Sequence, residues 1–276
     1  MQNSATIGFI GAGNMAYALV NGLIDGGFNK NNIKISDSNE KLLSQRKDEF
    51  NLEVFTDNTE LAARCDVVVL AIKPQIMSQV CKELAGALDH QPLIISIAAG
   101  VRSNDIARWL GADYAIVRSM PNTPALLGQG ASGLYANSTA STQEKSLAED
   151  ILSAVGHCLW VDNEKMLDAV TALSGSGPAY FFLMIESMTK AAVDLGLDED
   201  SAQKLSIQTA LGAATMAKLS EDAPHELRTK VTSAGGTTQA AIESFLEQNF
   251  EAVVAHAMRA AFNRAREMSS EFGDDE

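Results

Sequence analysis

The residues best suited to chemistry sit in glycine-rich turns. Gly11-Ala12-Gly13-Asn14-Met15-Ala16 follows the apolar run Thr6–Ile10 and has the form G-x-G-x-x-A. After a strand and at the opening of a helix, this pattern cradles the pyrophosphate of a dinucleotide. Gly11 permits the tight turn, Gly13 lets a pyrophosphate approach backbone without meeting a Cβ, and Ala16 lets the helix pack on a sheet. The N–H groups freed at the helix start then face the phosphates. Roughly 20 residues on, a second apolar run ends Ile35-Ser36-Asp37-Ser38-Asn39. An acidic group there hydrogen-bonds the adenine ribose and disfavours a 2′-phosphate, so Asp37 leans toward NAD. Ser36, Ser38 and Asn39 nevertheless offer hydrogen bonds to a phosphate, with no Arg immediately beside them. The phosphate state of the cofactor stays open.

Two more strand ends belong to the same crevice. Leu70-Ala71-Ile72-Lys73-Pro74 and Ser96-Ile97-Ala98-Ala99-Gly100 each leave an apolar run. In an open α/β sheet ligands bind beyond the carboxyl ends of the strands, so both turns border the nicotinamide half. Lys73 is a candidate catalytic acid, although a Pro-locked turn mainly fixes backbone and makes it an ordinary exposed lysine.

The other glycine turns lie in the second half, Leu173-Ser-Gly-Ser-Gly-Pro-Ala-Tyr180 and Thr232-Ser-Ala-Gly-Gly-Thr-Thr-Gln239. Each opens a helix with unpaired N–H groups, hydroxyl donors and the positive end of the helix dipole. Helix capping explains one such turn. Two, appended to a dinucleotide fold, point to a site for a small carboxylate that needs no Arg. His90, His157, His225 and His256 are scattered without metal-ligand spacing, and no G-x-S-x-G surrounds a serine. Metal catalysis and acyl transfer are disfavoured.

These turns need elements to hold them. Thr6–Ile10, Ile33–Ser36, Val67–Ala71 and Leu93–Ile97 read as strands, with Glu53–Phe55, Ala115–Arg118 and Cys158–Val161 weaker. Helical spacing marks Asn14–Asp25, Asn39–Phe50, Gln75–Leu88 and Asn104–Leu110 between them. The alternation predicts an α/β domain with a mainly parallel sheet covered on both faces. From Asp162 to Arg266 no strand is expected. Helices are predicted at Glu164–Ala172, Pro178–Leu195, Glu199–Leu219, Pro224–Thr232, Thr237–Glu247 and Phe250–Met268. The chain therefore divides into 1–162 and 163–276. Ala202–Leu219, rich in small residues and apolar on more than one face, suits a subunit interface, and Ser269–Glu276 reads as a frayed acidic tail.

Composition narrows the partners. With 35 acidic against 21 basic residues, the formal charge of −14 repels phosphate backbones and anionic lipid. Nucleic acid and membrane are unfavourable partners, and no run reaches the ~18 apolar residues a membrane helix needs. Cys65, Cys81 and Cys158, an odd set without C-x-x-C spacing, indicate a reducing compartment. Met1–Thr6 carries no basic signal-peptide start. A cytoplasmic protein is expected.

Together these stretches resemble the pyrroline-5-carboxylate reductases. The resemblance runs from Thr6 to about Arg266, through Gly8-Phe-Ile-Gly-Ala-Gly-Asn-Met15, Ala71-Ile-Lys-Pro74, Ser96–Gly100 and Arg118-Ser-Met-Pro-Asn-Thr-Pro124. Leu173–Tyr180 and Val231–Thr238 are its most specific parts. It implies a Rossmann-type dinucleotide-binding domain followed by an all-α domain for substrate and dimerisation. It also implies reduction of 1-pyrroline-5-carboxylate to L-proline by NADPH or NADH in a homodimer or ring of dimers. Carried over by position, Ile10 and the loop Gly11, Ala12, Gly13, Asn14 and Met15 hold the pyrophosphate, with Ser36 and Asp37 at the adenine ribose. Asn58, Ala71, Ile72, Lys73, Pro74, Ile97 and Ala99 line the rest of the cofactor cleft, and Lys230 lies near it. Ser233, Gly235, Gly236 and Thr237 clamp the substrate carboxylate, Thr238 reaches the ring nitrogen as the catalytic residue, and Glu164 lies near substrate. Many members carry a small hydroxyl residue where Asp37 falls and Pro where Ala234 falls.

The nearest enzymatic rival, a β-hydroxyacid dehydrogenase, places a catalytic Lys four residues past the glycine turn. Here that position is Phe181 and the next lysine is Lys190. A non-catalytic nucleotide sensor would have an eroded substrate turn, yet Ser233–Thr238 departs only at Ala234.

Overall fold

A computed structural model describes residues 4–273. Strand and helix alternate as β1 (Ile7–Ile10), α1 (Asn14–Asp25), β2 (Ile33–Ser36), α2 (Glu40–Phe50), β3 (Glu53–Phe55), α3 (Asn58–Ala62), β4 (Val67–Leu70), α4 (Met77–Leu84), β5 (Leu93–Ser96), α5 (Ser103–Leu110) and β6 (Ile116–Met120). β7 (Gly130–Ala136), α6 (Thr142–Ser153), β8 (Gly156–Trp160) and α7 (Met166–Val170) follow. The sheet order is β3-β2-β1-β4-β5-β6-β7-β8. All pairs are parallel except β6 with β7, so β7 and β8 run against the rest.

The strand residues feed two cores alternately, as the period of two requires. Ile7, Phe9, Val67, Val69 and Ile95 pack with Leu19 and Leu23 of α1 and Ile151 of α6. Ile10, Val68, Leu70 and Ile94 pack on the other face with Leu61 of α3, Cys81 of α4 and Ile106 of α5. Strands apolar on both faces are what a helix-covered parallel sheet demands.

The structure adds elements absent from the sequence reading. β7, Gly-Ala-Ser-Gly-Leu-Tyr-Ala, has the small residues that weaken a strand signal, and its place comes from pairing with β6 and β8. A Cβ at Gly133 would meet Val170 of α7 at 2.7 Å, so glycine there admits the helix onto the sheet. α6 carries a capping box, Ser141 with Glu144, a sequence signature that marks its start.

Contacts divide the chain into two units, one of residues up to Ser176 together with those from Ala261, the other Gly177–Ala260. The compositional division at Asp162 falls earlier, because α7 and the π-helical turn Thr171–Gly175 still pack on the sheet. The helical unit holds α8 (Gly177–Asp194), α9 (Glu199–Leu219), α10 (Pro224–Lys230), α11 (Thr237–Glu247) and the first part of α12 (Phe250–Gly273). No strand occurs there among the described residues. Its exposed apolar side chains include Phe181, Phe182 and Leu183 of α8 and Leu205, Leu211 and Leu219 of α9. On α9 only Ala202 and Ser206 are buried. A frayed tail from Ser269 is not what forms. α12 continues to Gly273, where Arg108 donates to the Gly273 carbonyl at 2.6 Å and Ser269 is buried. Residues 274–276 of that expected tail lie outside the described residues.

Candidate active site

The cofactor end assembles at the carboxyl ends of β1, β2, β4 and β5. Gly11 has φ +101°, and a Cβ there would lie 2.4 Å from the Ala71 carbonyl oxygen, so the turn excludes every other residue. Its N–H donates to the Ser36 carbonyl at 2.8 Å, and the Ala71 N–H donates to the Ile10 carbonyl, which ties the three strand ends together. Gly13 is the N-cap of α1 and makes no side-chain cap bond, and a Cβ on it would meet nothing within 4 Å. Space, exposed Gly13 and Asn14, and an uncapped helix start fit a dinucleotide pyrophosphate. Met15 is half-buried against the core beneath.

Asp37 is more constrained than its sequence position suggests. One carboxylate oxygen accepts the Ala12 N–H at 2.8 Å and the other accepts the Asn39 N–H at 2.8 Å. The side chain therefore anchors the glycine loop to the end of β2, with lone pairs left for a ribose hydroxyl. The buried Ser36 hydroxyl donates to Asn58 Oδ1 at 2.7 Å, which joins β2 to the start of α3. Ala71, Ile72 and Pro74 are half-buried and Lys73 exposed at the end of β4, while Ile97 and Ala99 are half-buried at the end of β5. The Ile97 N–H donates to the Leu70 carbonyl at 3.3 Å, holding these two exits side by side.

Glu164 lies apart from that cluster, on a cavity of about 1040 Å³ also lined by Arg102, Arg118, Asp168 and Arg266. Its Oε1 accepts the Ser103 N–H at the start of α5 at 2.6 Å and pairs with the buried Arg118 at 3.0 Å. Burial raises the Asp168 carboxyl above its usual range, with Arg118, Arg266 and Arg102 opposing the rise. Arg118 and Asn122, both buried and both from the Arg118–Pro124 stretch, thus have structural partners. Asn122 donates to the Ser174 carbonyl at 2.9 Å and accepts the Ala131 N–H at 2.9 Å, fixing the first turn of Leu173–Tyr180 to β7.

In the helical unit, Ser233, Gly235, Gly236, Thr237 and Thr238 come together at the start of α11. Gly235 has φ +70°, and the Gly236 N–H donates to the Ser233 carbonyl at 3.0 Å. A Cβ at Gly236 would meet Ser233 Oγ at 2.6 Å, so the serine hydroxyl sits over the turn. Gly236 caps α11 without a side-chain bond, and no acidic residue occupies the first turn. Gln239 Oε1 accepts the Gly235 N–H at 2.7 Å, a partner the sequence motif does not announce. Lys230 pairs with Asp222 at 2.5 Å on an exposed face of the helical unit. Geometry of this kind offers N–H groups and hydroxyls to a carboxylate.

Comparison with known proteins identifies the family. Residues 164–268 match the family described as pyrroline-5-carboxylate reductase dimerisation, and residues 6–100 match one described as NADP oxidoreductase, coenzyme F420-dependent. A pyrroline-5-carboxylate reductase of Pseudomonas aeruginosa is 51% identical, over 99% of this chain and 100% of that protein. The structure of a pyrroline-5-carboxylate reductase from Coxiella burnetii is similar with TM-score 0.93 and 44% identity, covering 96% of this chain and 99% of that one. A pyrroline carboxylate reductase from Plasmodium falciparum with NADP bound gives TM-score 0.86 and 31% identity, over 98% of this chain and 100% of that one. This chain belongs to the pyrroline-5-carboxylate reductase family.

Proposed function

We propose that this protein reduces 1-pyrroline-5-carboxylate to L-proline, the final step of proline biosynthesis, with NADPH or NADH. The observation that carries the reading is the Ser233–Thr238 turn, changed only at Ala234, opening an uncapped α11 in a chain that also holds a complete dinucleotide loop. The nicotinamide cofactor supplies a hydride when bound. The product gains that hydride at the C=N carbon and a proton at nitrogen. A protonated C=N is already electrophilic, so the chain's task is mainly to position it and exclude water. Positioning supplies up to ~7–11 kcal/mol of such a barrier in good cases. The N–H groups at the start of α11, with Ser233 and Thr237, hold the carboxylate, and the Thr238 hydroxyl holds or relays the proton at the ring nitrogen. Glu164 acts from beside the substrate and Lys230 from beside the cofactor.

The protein works as a homodimer or a ring of dimers, supported by the dimerisation match and by the exposed apolar faces of α8 and α9. It works in the cytoplasm, a placement supported by the unpaired thiols Cys65, Cys81 and Cys158. No helix among the described residues is long and apolar enough to cross a membrane. The test is parallel oxidation of NADPH and NADH in the presence of 1-pyrroline-5-carboxylate. Turnover with at least one is expected, and none with either would overturn the reading.

A further inference from the structure

Asp37 and Arg46 reach the same residue of the glycine loop from different elements. Asp37, after β2, accepts the Ala12 N–H at 2.8 Å, while Arg46, from α2, donates through Nε to the Ala12 carbonyl at 3.3 Å. Asp37 precedes α2 and Arg46 lies inside it, so their convergence on Ala12 is a product of folding. The Arg46 guanidinium stacks over the Tyr17 ring, 4.4 Å from its centroid. NH1 pairs with Glu49 at 3.3 Å, and Glu49 is also held by the Tyr17 hydroxyl at 2.9 Å. The fork is thus placed by aromatic stacking, by a carboxylate and by the loop itself. Its side chain is only 13% exposed, so it loses little freedom when a ligand arrives. Five guanidinium N–H donors exist and these contacts engage two of them, which leaves donors for an incoming anion.

We infer that Arg46 recognises the 2′-phosphate of NADPH and lets this chain accept the phosphorylated cofactor despite Asp37. This inference rests on the dinucleotide reading of the Gly11–Met15 loop. An acid after β2 reads a 2′-hydroxyl, and an arginine close by accommodates a 2′-phosphate. This chain carries both at one loop residue. Asp37, fixed by two backbone N–H groups, favours the hydroxyl of NADH. Arg46 offsets that charge and offers a planar fork to a phosphate. Glu49 is the third charge at the site, and it orients the guanidinium rather than meeting the cofactor. Arg46 is a specificity-determining residue.

The test uses the full-length protein and two fragments that differ only in the phosphate in question, 2′,5′-ADP and 5′-AMP. Calorimetric titration of the wild type, Arg46→Gln and Arg46→Lys reads the phosphate contact without any need for turnover. Arg46→Gln is expected to weaken 2′,5′-ADP binding by about tenfold or more, the worth of a charge-assisted hydrogen bond, and to change 5′-AMP binding less than twofold. Arg46→Lys, which keeps the charge but loses the fork, falls between the two. Equal weakening of both fragments in Arg46→Gln would assign Arg46 to loop support alone and overturn the inference, as would no weakening of either. Failure of the wild type to oxidise NADPH and NADH would overturn the proposed reaction and leave this binding test standing.

Discussion

The turn that opens α1 and the turn that opens α11 have the same design at first sight. Both are glycine-rich, both start a helix with no side-chain cap, and both lack an acidic residue in the first turn. Their supports differ. Gly11–Met15 is wired to three strand ends by the Gly11, Ala12 and Ala71 N–H groups, above a core in which β1, β4 and β5 are fully buried. Ser233–Thr238 is held by bonds within its own stretch, such as Gly236 to Ser233 and Gly235 to Gln239, in a unit with apolar side chains on its surface. The first turn is preorganised by the chain's own fold. The second belongs to helices that leave large apolar side chains exposed in the single chain, within the stretch that matches a dimerisation family.

The comparison breaks most sharply at Gly11. Gly11→Ala puts a Cβ at φ +101° and 2.4 Å from the Ala71 carbonyl oxygen. Adding backbone strain to overpacking, we expect a loss of about 4 kcal/mol in a denaturation curve. A stable Gly11→Ala protein would show that the loop is less rigid than its bonds indicate. Next comes the helical unit. Leu211→Glu places a charge on α9 at a residue that is 57% exposed in the single chain. Buried without a partner in a dimer, it should cost about 3 kcal/mol, or about 100-fold in self-association by sedimentation. If the dimer persists, that face of α9 is not the interface.

Smaller effects sharpen the contrast. Thr238→Ala is expected to lower kcat/KM about tenfold or more without changing NADPH binding, measured by steady-state kinetics beside cofactor titration. Full activity would remove Thr238 from the reaction. Gly13→Ala is the partner experiment to Gly11→Ala. Its Cβ meets nothing within 4 Å, so stability should hold within about 1 kcal/mol. NADPH affinity should nevertheless fall about tenfold, because the methyl group occupies the space that a pyrophosphate needs. Equal affinities in wild type and Gly13→Ala would place the cofactor elsewhere.

Much of this was legible in residue order. The strands β1, β4 and β5 announce themselves by short apolar runs and β2 by its alternating isoleucines, and α1, α9 and α11 begin and end where the helical spacing does. The short α3 offers too few residues for a period, and β7 lacks the branched side chains that mark a strand. α6 was legible through Ser141 and Glu144 yet is carried by few apolar positions. Among site residues, Asp37 stands at the expected place, but its two backbone donors are visible only in the fold.

Sequence alone pointed to the two chemistries, because a turn that leaves no room for a Cβ, such as Gly11, or that must leave space for a phosphate is written with glycine, and such turns are local. It also determined the sheet, through strands apolar on both faces. Tertiary structure decided which charges act together. Arg46 meets Ala12, Arg118 meets Glu164 and Asn122 meets Ser174 because strand and helix packing brings distant residues within hydrogen-bonding range. Those partners depend on direction and distance in space, and residue spacing along a chain encodes neither.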